Sequence, residues 1–236
     1  GRSVEMIAQK CDLKREELDA FSLRSHRLAH SATEGGRFQR EILPLEVMTD
    51  GGPQTLDVDE TIRPNTSMDK LASLSPAFKE DGIVTAGSSS PISDGAAAVL
   101  LMARRRAEEL GLRPRARLLH QLVVGVDPVI ALTGPIPATR QILKRAGMAL
   151  SDIDLFEVNE AFAPVVIAWE REIEPDMDRV NVNGGAIAIG HPLGASGARI
   201  MTTLLHEMER RDVAMGLQTM CCFGGLGIAT IVERIS

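Results

Sequence analysis

The sequence predicts an α/β fold in which helices pack on a layered sheet. Strand and helix patterns alternate over residues 116–236, which is typical of that class. Hydrophobic residues make up 44% of the 236 residues and aromatic residues only 3%, so we expect an aliphatic core. The 21 glycines indicate many tight turns between the elements.

Two helices open the chain. Apolar residues recur at roughly helical spacing over 4–11 and 14–33, and Gly35 with Gly36 ends the second helix. Residues 41–48 predict a strand, which Pro44 restricts to a sheet edge because proline cannot donate to a ladder.

A polar, turn-rich segment follows over residues 49–92, with only a short helix near Met68–Leu74. Long segments of this kind are usually functional or flexible. The run Ala96–Met102 is small and aliphatic, and predicts a buried strand or helix. A charged helix over Ala103–Leu110 ends at Gly111.

The remaining residues alternate between the two patterns. The helix over Pro137–Ala146 begins with proline and ends before Gly147, the expected asymmetry of a helix. The other predicted elements are strands at Ala116–Val126, Leu155–Val158, Val180–Val182, Met215–Cys221 and Ile228–Val232, and helices at Ala161–Glu172 and Gly194–Arg211.

Composition excludes several classes of function. A formal charge of −6 disfavours a nucleic-acid binder. No apolar run approaches the ~20 residues that span a bilayer, and no signal segment opens the chain. Three cysteines, two of them adjacent, do not form a disulfide framework, so a reducing cytoplasmic setting is expected.

Three clusters carry residues suited to chemistry. Asn159-Glu160 follows a strand and precedes a helix, where polar groups can meet a ligand, although both also suit a helix cap and first turn. His191 lies in a turn rich in glycine and proline, and suits a general base or an oxyanion donor, or else a structural histidine. No second histidine lies at metal-ligand spacing, so no metal is expected.

Cys221 and Cys222 end a strand before a glycine-rich turn. Neighbouring residues on a strand point to opposite faces, so at most one of them faces a given pocket. That cysteine is either a reactive thiol or a small buried apolar residue. A set of Cys, His and Asn also suits a cysteine protease, but neither papain-like nor caspase-like signatures surround Cys221.

Together the clusters resemble the thiolase family of acyl-CoA acyltransferases. Thiolases carry the patterns Asn-Glu-Ala-Phe-Ala, Gly-Gly-x-x-Ala-x-Gly-His-Pro-x-Gly-x-(Ser/Thr)-Gly and Cys-x-x-Gly-Gly-x-Gly in this order. This chain has them at Asn159–Ala163, Gly184–Gly197 and Cys221–Gly227. The resemblance extends over the whole chain, through stretches such as Val84–Gly87 and Gly134–Ala138.

The resemblance implies CoA-dependent cleavage of a 3-ketoacyl-CoA to acetyl-CoA and a shortened acyl-CoA, or the reverse Claisen condensation. It implies that His191 activates the nucleophile and donates to the thioester oxygen. Asn159 would hold a water in the same oxyanion hole, and Cys221 would move the proton on the α-carbon of acetyl-CoA. No cofactor is implied, because CoA is a substrate.

The resemblance also assigns contacts with CoA and the acyl chain. The candidates are Arg63, Ser67, Ala86, Ser90, Phe162 and Phe223. Phe223 stands where many members have glycine, in a turn whose backbone N–H helps to form the second oxyanion hole, so substrate range is in doubt there.

The fold implied by the resemblance is a layered α-β-α-β-α half-domain with a mixed sheet, plus part of a loop domain. We predict the rest of a CoA-covering loop domain at 1–92, the last elements of an N-terminal domain at 93–122, and a C-terminal domain at 123–236. Cys11 lies in no glycine-rich elbow, so the nucleophilic cysteine is expected on an N-terminal thiolase segment outside this chain.

Thiolases are usually dimers or tetramers, which implies a homo-oligomer, with fatty acid β-oxidation as its setting. Without the nucleophile, the isolated chain is expected to be inactive. The alternative is a non-catalytic CoA-binding homologue or a subunit of a split complex.

Overall fold

A four-stranded mixed sheet forms the centre of the protein in the computed structural model, which describes residues 1–235. Its strands are β3 (Ala116–Gly125), β4 (Leu155–Val158), β5 (Met215–Cys222) and β6 (Leu226–Arg234). They lie in the order β3-β6-β5-β4, and only the β4–β5 pair is parallel. The predicted α/β class and its mixed sheet are confirmed.

Helices cover both faces of this sheet. Helices α5 (Pro135–Ala146) and α6 (Ala163–Ile173) pack on one face, around the fully buried Trp169. Helix α8 (Ser196–Arg211) packs on the other face through Leu204 and Met208. Successive residues of a strand point to opposite faces, and so Phe156 joins the first core while its neighbour Leu155 joins the second.

The first third of the chain docks onto this layered unit. Helix α1 (Arg2–Lys10) packs against α6, and the long helix α2 (Arg15–Glu34) contacts α6 and the short helix α7 (Ala186–Ile189). Strands β1 (Leu45–Thr49) and β2 (Gly52–Leu56) form a separate antiparallel hairpin, followed by α3 (Met68–Ala72).

The prediction for Ala96–Met102 is wrong, because these residues form neither helix nor strand and most of them are exposed. Leu100 is 77% exposed and Ile92, just before the run, is 92% exposed. A buried strand needs neighbouring strands to pair with, and no strand among residues 1–235 pairs with this run. The charged helix that follows, α4 (Arg104–Glu109), is as predicted.

Three smaller predictions are also corrected. The Val180–Val182 segment forms only isolated bridges, to Phe156 and within its own turn, rather than a strand. The first strand begins at Leu45 rather than at residue 41, because Leu45 pairs with Leu56, the last residue of β2. The prediction for residues 49–92 missed β2, whose partly solvated residues carry no alternating pattern.

Helix α5 ends as its sequence predicts, since Gly147 adopts a left-handed conformation with φ of 68°. Within residues 1–235, no helix combines the length and the apolar character that crossing a bilayer requires.

Candidate active site

Two of the three sequence clusters meet where β4 and β5 end. These strands run parallel with Val158 opposite Thr219, so their carboxyl ends lie at one edge of the sheet. The chain leaves β4 at Asn159, whose N–H donates to the carbonyl of Thr219 at 3.0 Å. Cys221 lies two residues further along β5. The carboxyl edge of parallel strands is the usual position for ligand-binding groups in such sheets.

His191 reaches the same edge from the glycine-rich turn before α8. Gly190 adopts φ of 87°, which glycine tolerates best, and turns the chain so that the imidazole is buried. Nε2 of His191 lies 3.4 Å from Nδ2 of Asn159, and Nδ1 lies 2.6 Å from Oγ of Ser196. Burial lowers the pKa of His191, so its imidazole is neutral at neutral pH.

Asn159 does not act as a helix cap, because α6 begins four residues later with Phe162 as its N-cap residue. Its side chain is buried and its Oδ1 accepts no hydrogen bond from the described residues. A buried polar atom without a partner is uncommon and indicates a position where water or a ligand can bind. The Asn159 amide and the His191 imidazole therefore form one polar pair facing the sheet edge.

Cys221 is buried among apolar side chains that include Ile7, Ala161 and Val165. Burial, with a smaller effect from Cys222, raises the pKa of the Cys221 thiol to about 12. The thiol is therefore protonated at neutral pH and suits a proton donor better than a nucleophile. Cys222 points to the opposite face of β5 and is half-buried, as the alternation of a strand predicts.

Residues 89–91 join these groups to the first third of the chain. The Ser90 hydroxyl donates to the carbonyl of Ala161 at 2.9 Å, and the N–H of His191 donates to the carbonyl of Pro91 at 3.0 Å. Pro91 also lies on the wall of a half-open cavity of about 330 Å³. The residue that accepts the backbone N–H of His191 therefore also lines the cavity.

The cations Arg63 and Lys70 also line this cavity. His26 also lines it, and burial, with a smaller effect from Arg63, lowers the pKa of His26 to about 4. Its Nδ1 therefore accepts the backbone N–H of Arg63 at 3.1 Å as a neutral imidazole. The charge of the cavity wall comes from the two cations, which suits an anionic group such as phosphate.

Comparison with known families decides the identity of this arrangement. The family model for the thiolase C-terminal domain matches residues 112–234, and the model for the thiolase N-terminal domain matches residues 1–105. The chain belongs to the thiolase family. The three-part division at residues 92 and 122 stays a prediction.

Individual thiolases agree closely with the whole chain. It is 52% identical to a 3-ketoacyl-CoA thiolase of Pectobacterium carotovorum over 240 residues, and 50% identical to an acetyl-CoA acetyltransferase of Allochromatium vinosum over 236 residues. Each alignment covers 100% of this chain and, respectively, 62% and 60% of the relative. The chain thus spans about three fifths of the length of these relatives.

Solved thiolase structures show the same fold. An acetyl-CoA acetyltransferase of Bacillus anthracis superposes with a TM-score of 0.96 at 42% identity, over 99% of this chain and 59% of that chain. Human mitochondrial 3-ketoacyl-CoA thiolase in complex with CoA superposes with a TM-score of 0.92 at 42% identity, over 99% of this chain and 58% of that chain.

The candidate contacts to CoA and the acyl chain fall into two groups. Arg63 and Ala86 line the cavity. The hydroxyls of the two serine candidates form hydrogen bonds within the protein. The Oγ of Ser67 caps α3 by accepting the N–H of Lys70 at 3.3 Å, and the Ser90 hydroxyl donates to the carbonyl of Ala161.

The two phenylalanine candidates differ in their surroundings. Phe162 packs edge-to-face on Phe78, with ring centroids 5.7 Å apart, and contacts the apolar cluster around Cys221. Phe223 is fully exposed in the β5–β6 turn, so its side chain lines no part of the cavity.

Two functional features were missed by reasoning from local sequence. Glu160 is not a first-turn carboxylate; it is buried and connects three segments of the chain. Its carboxylate accepts hydrogen bonds from Ser25 Oγ at 2.6 Å, Asn181 Nδ2 at 3.0 Å and the Ile187 N–H at 3.2 Å. Burial raises its pKa. Ser196, the other feature, holds Nδ1 of His191; it occupies the Ser/Thr position of the glycine-rich pattern, to which no role was assigned.

Proposed function

We propose that this chain takes part in a thiolase-type acyl transfer between CoA thioesters, cleaving a 3-ketoacyl-CoA with CoA or running the reverse condensation. The observation that carries the proposal is the buried pair of Asn159 Nδ2 and His191 Nε2, 3.4 Å apart, at the sheet edge where Cys221 also lies. These groups suit a reaction that develops negative charge on a carbonyl oxygen and then on an α-carbon.

In the first step a thiol attacks the C3 carbonyl of the 3-ketoacyl-CoA. The neutral imidazole of His191 takes the thiol proton at Nε2, a new C–S bond forms, and the carbonyl π electrons move to oxygen. The resulting Nε2–H then donates to the thioester oxygen of the substrate, where the enolate charge develops in the next step, and Asn159 donates to the same oxygen through a water. Fixed donors at a developing charge accelerate such steps because they need no reorganisation.

In the second step the C2–C3 bond breaks. Its electrons leave as the enolate of acetyl-CoA, and the Cys221 thiol gives its proton to the α-carbon of this enolate. The pKa of about 12 supports this direction, because a thiol that is protonated at rest serves as a donor. A second CoA thiol then gives its proton to the Cys221 thiolate and attacks the acyl thioester. The C–S bond to the first thiol breaks, the shortened acyl-CoA forms, and the imidazolium of His191 returns its proton to the first thiol.

The proposal assigns the nucleophile to a thiol that is not among the three cysteines of this chain. A cysteine nucleophile usually has a lowered pKa, whereas burial raises the pKa of Cys11, Cys221 and Cys222. Cys11 also ends α1 beside Arg171 and packs with apolar side chains. An N-terminal thiolase segment is the proposed source of the reacting thiol.

The proposal extends to the substrate and its setting. The cavity beside Pro91 offers Arg63 and Lys70 to the phosphates of CoA. We assign the reaction to fatty acid β-oxidation in the cytoplasm, and the assembly to a homodimer or tetramer. The name of the Pectobacterium relative, a 3-ketoacyl-CoA thiolase, supports the degradative direction.

The test is reconstitution with an N-terminal segment. The chain is assayed for CoA-dependent loss of acetoacetyl-CoA, alone and co-expressed with the N-terminal two fifths of the Allochromatium relative. We expect turnover only in the complemented sample, and its loss by at least about a hundredfold in His191→Ala. The matched control is His206→Ala, since His206 lies on α8 and bonds only within its helix.

Two outcomes would contradict the proposal. Turnover by the chain alone at the rate of the complemented sample would show that the nucleophile is within the chain. Complemented turnover that His191→Ala leaves unchanged would remove His191 from the chemistry.

A non-catalytic CoA-binding homologue is the second candidate, favoured by the raised pKa of all three thiols and by a cavity that this chain forms alone. Titration calorimetry with CoA distinguishes the two. A binding module keeps its affinity in His191→Ala and Cys221→Ala and shows no turnover after complementation.

A further inference from the structure

We propose that Ser196 is a positioning residue that fixes the tautomer of His191, holding the imidazole proton on Nδ1 so that the lone pair of Nε2 faces the sheet edge. The inference deepens the proposed function, because it explains how His191 is prepared to take a thiol proton. It is carried by the hydrogen-bond chain that begins at Nδ1.

The far end of that chain offers an acceptor for the serine proton. The Ser196 Oγ lies 3.0 Å from the carbonyl oxygen of Pro192, which also accepts the N–H groups of Ala195 at 2.8 Å and Ser196 at 2.9 Å. In the proposed tautomer the hydroxyl donates to Pro192, and an oxygen lone pair is left for the imidazole. Nδ1 lies 2.6 Å from this oxygen and carries the proton of that contact.

The other side of the ring gives the same assignment independently. Nδ2 of Asn159 is an amide nitrogen, which only donates, and it lies 3.4 Å from Nε2 of His191. With the amide in this orientation Nε2 accepts and carries no proton. Both contacts of the imidazole therefore fit the same tautomer.

Both residues of the Ser196–His191 hydrogen bond are buried. Ser196 is 2% exposed and His191 is 9% exposed, so water does not readily replace either contact. When Nε2 takes a proton, the Nδ1–H can stay bonded to Ser196, and the carbonyl dipole of Pro192 lies behind that bond. The hydroxyl therefore stabilises both the resting tautomer and the imidazolium that forms during the reaction.

Nitrogen NMR of the chain labelled with ¹⁵N-histidine tests the inference without any turnover. The two ring nitrogens of a neutral histidine resonate far apart according to which one is protonated, and a His191→Gln sample assigns the signals. We expect the Nδ1–H form in the unchanged chain. In Ser196→Ala the ratio of Nδ1–H to Nε2–H should fall by at least about tenfold, because the acceptor for Nδ1 is gone.

Two variants control for general damage to the helix. Ser196→Thr keeps the hydroxyl and should keep the Nδ1–H form. Thr202→Ala removes a hydroxyl on the same helix that donates to the carbonyl four residues earlier at 2.9 Å, without contact to His191. It should leave the His191 signals unchanged.

The kinetic readout uses the complemented enzyme. Ser196→Ala should lower kcat at least about tenfold with KM for acetoacetyl-CoA within about twofold, because only proton transfer is affected. Ser196→Thr should restore kcat.

Either of two NMR results would overturn the inference. The first is the Nε2–H form in the unchanged chain, a measurement that does not require any variant to fold. The second is an Nδ1–H form that persists unchanged in Ser196→Ala. If the tautomer responds as expected while complementation gives no turnover in any variant, the proposed function fails and the tautomer assignment stands.

Discussion

Alkylation of Cys221 in the folded chain should be about a thousandfold slower than alkylation of the same cysteine in the unfolded chain. Iodoacetamide reacts with the thiolate, and burial raises the pKa of this thiol from 9.0 to about 12. Below pH 9 that shift lowers the thiolate fraction by about three powers of ten. The side chain is also only 6% exposed, which slows the approach of the reagent further.

Single-cysteine variants make the measurement specific. One variant, Cys11→Ala with Cys222→Ser, keeps only Cys221, and the matched variant, Cys11→Ala with Cys221→Ser, keeps only Cys222 on the same strand. Intact mass follows the addition of iodoacetamide at pH 8, in buffer and in 6 M urea. The half-buried Cys222 should react at least about tenfold faster than Cys221 in the folded chain.

A Cys221 rate within about tenfold of the unfolded rate would refute the reasoning, provided that low urea does not accelerate it. Acceleration by 0.5–1 M urea would show that alkylation proceeds through opened molecules, and the rate would then measure opening. The result bears directly on function, since fast alkylation would show that Cys221 lacks the raised pKa from which its role as a proton donor is argued.

Three further predictions concern stability and are measured by urea unfolding. Burial raises the pKa of Glu41 from 4.5 to about 7, so the stability that this carboxyl contributes is present below pH 4.5 and is lost as pH rises through 7. Glu41→Gln should therefore unfold like the unchanged chain at pH 4.5 and be more stable by up to about 3 kcal/mol at pH 8; equal stability at pH 8 would contradict this. Gly185→Ala should cost about 1–3 kcal/mol, because its Cβ would lie 2.6 Å from Oε1 of Glu160, whereas Gly194→Ala, which meets nothing within 4 Å, should stay within about 0.5 kcal/mol. Trp169→Phe should cost about 1–3 kcal/mol, because it removes a buried indole N–H that donates to a threonine hydroxyl at 2.9 Å and leaves a cavity; a loss below 0.5 kcal/mol would be evidence against that bond.

The sheet and its helices were predictable because their signals are local. Leu155–Val158 matches β4 at both ends, and Gly147 ends α5 as its position after a helical pattern predicts. The Ala96–Met102 run failed for the opposite reason. Apolar composition indicates that a segment can be buried, but burial also needs a neighbouring surface, and a single segment does not specify one.

The candidate site residues divide in a similar way: local motifs identified some of them, whereas the roles of others depend on contacts with distant parts of the chain. Spacing singled out Asn159, His191 and Cys221 without any knowledge of their contacts. The role of Glu160 depends on Ser25, which lies 135 residues earlier in the chain. Cap rules consider only neighbours in sequence, and so they assigned this carboxylate to a helix that begins after Phe162.

Glu160 also explains why the site depends on helix α2. Ser25 on that helix donates to the Glu160 carboxylate and accepts the N–H of Gly185 at 3.1 Å, and the same carboxylate accepts the N–H of Ile187. A Cβ at Gly184 would lie 2.8 Å from Cβ of Ala29, so the turn that leads to His191 lies directly against α2. The residues before 105 match one thiolase domain model and those after 112 match the other, yet the loop carrying His191 takes its position from both. The Asn159–His191 contact joins two loops, and the hydrogen bonds of Glu160 connect both loops to this helix. A C-terminal domain expressed without α2 would therefore contain every motif residue but lack the contacts that set their geometry.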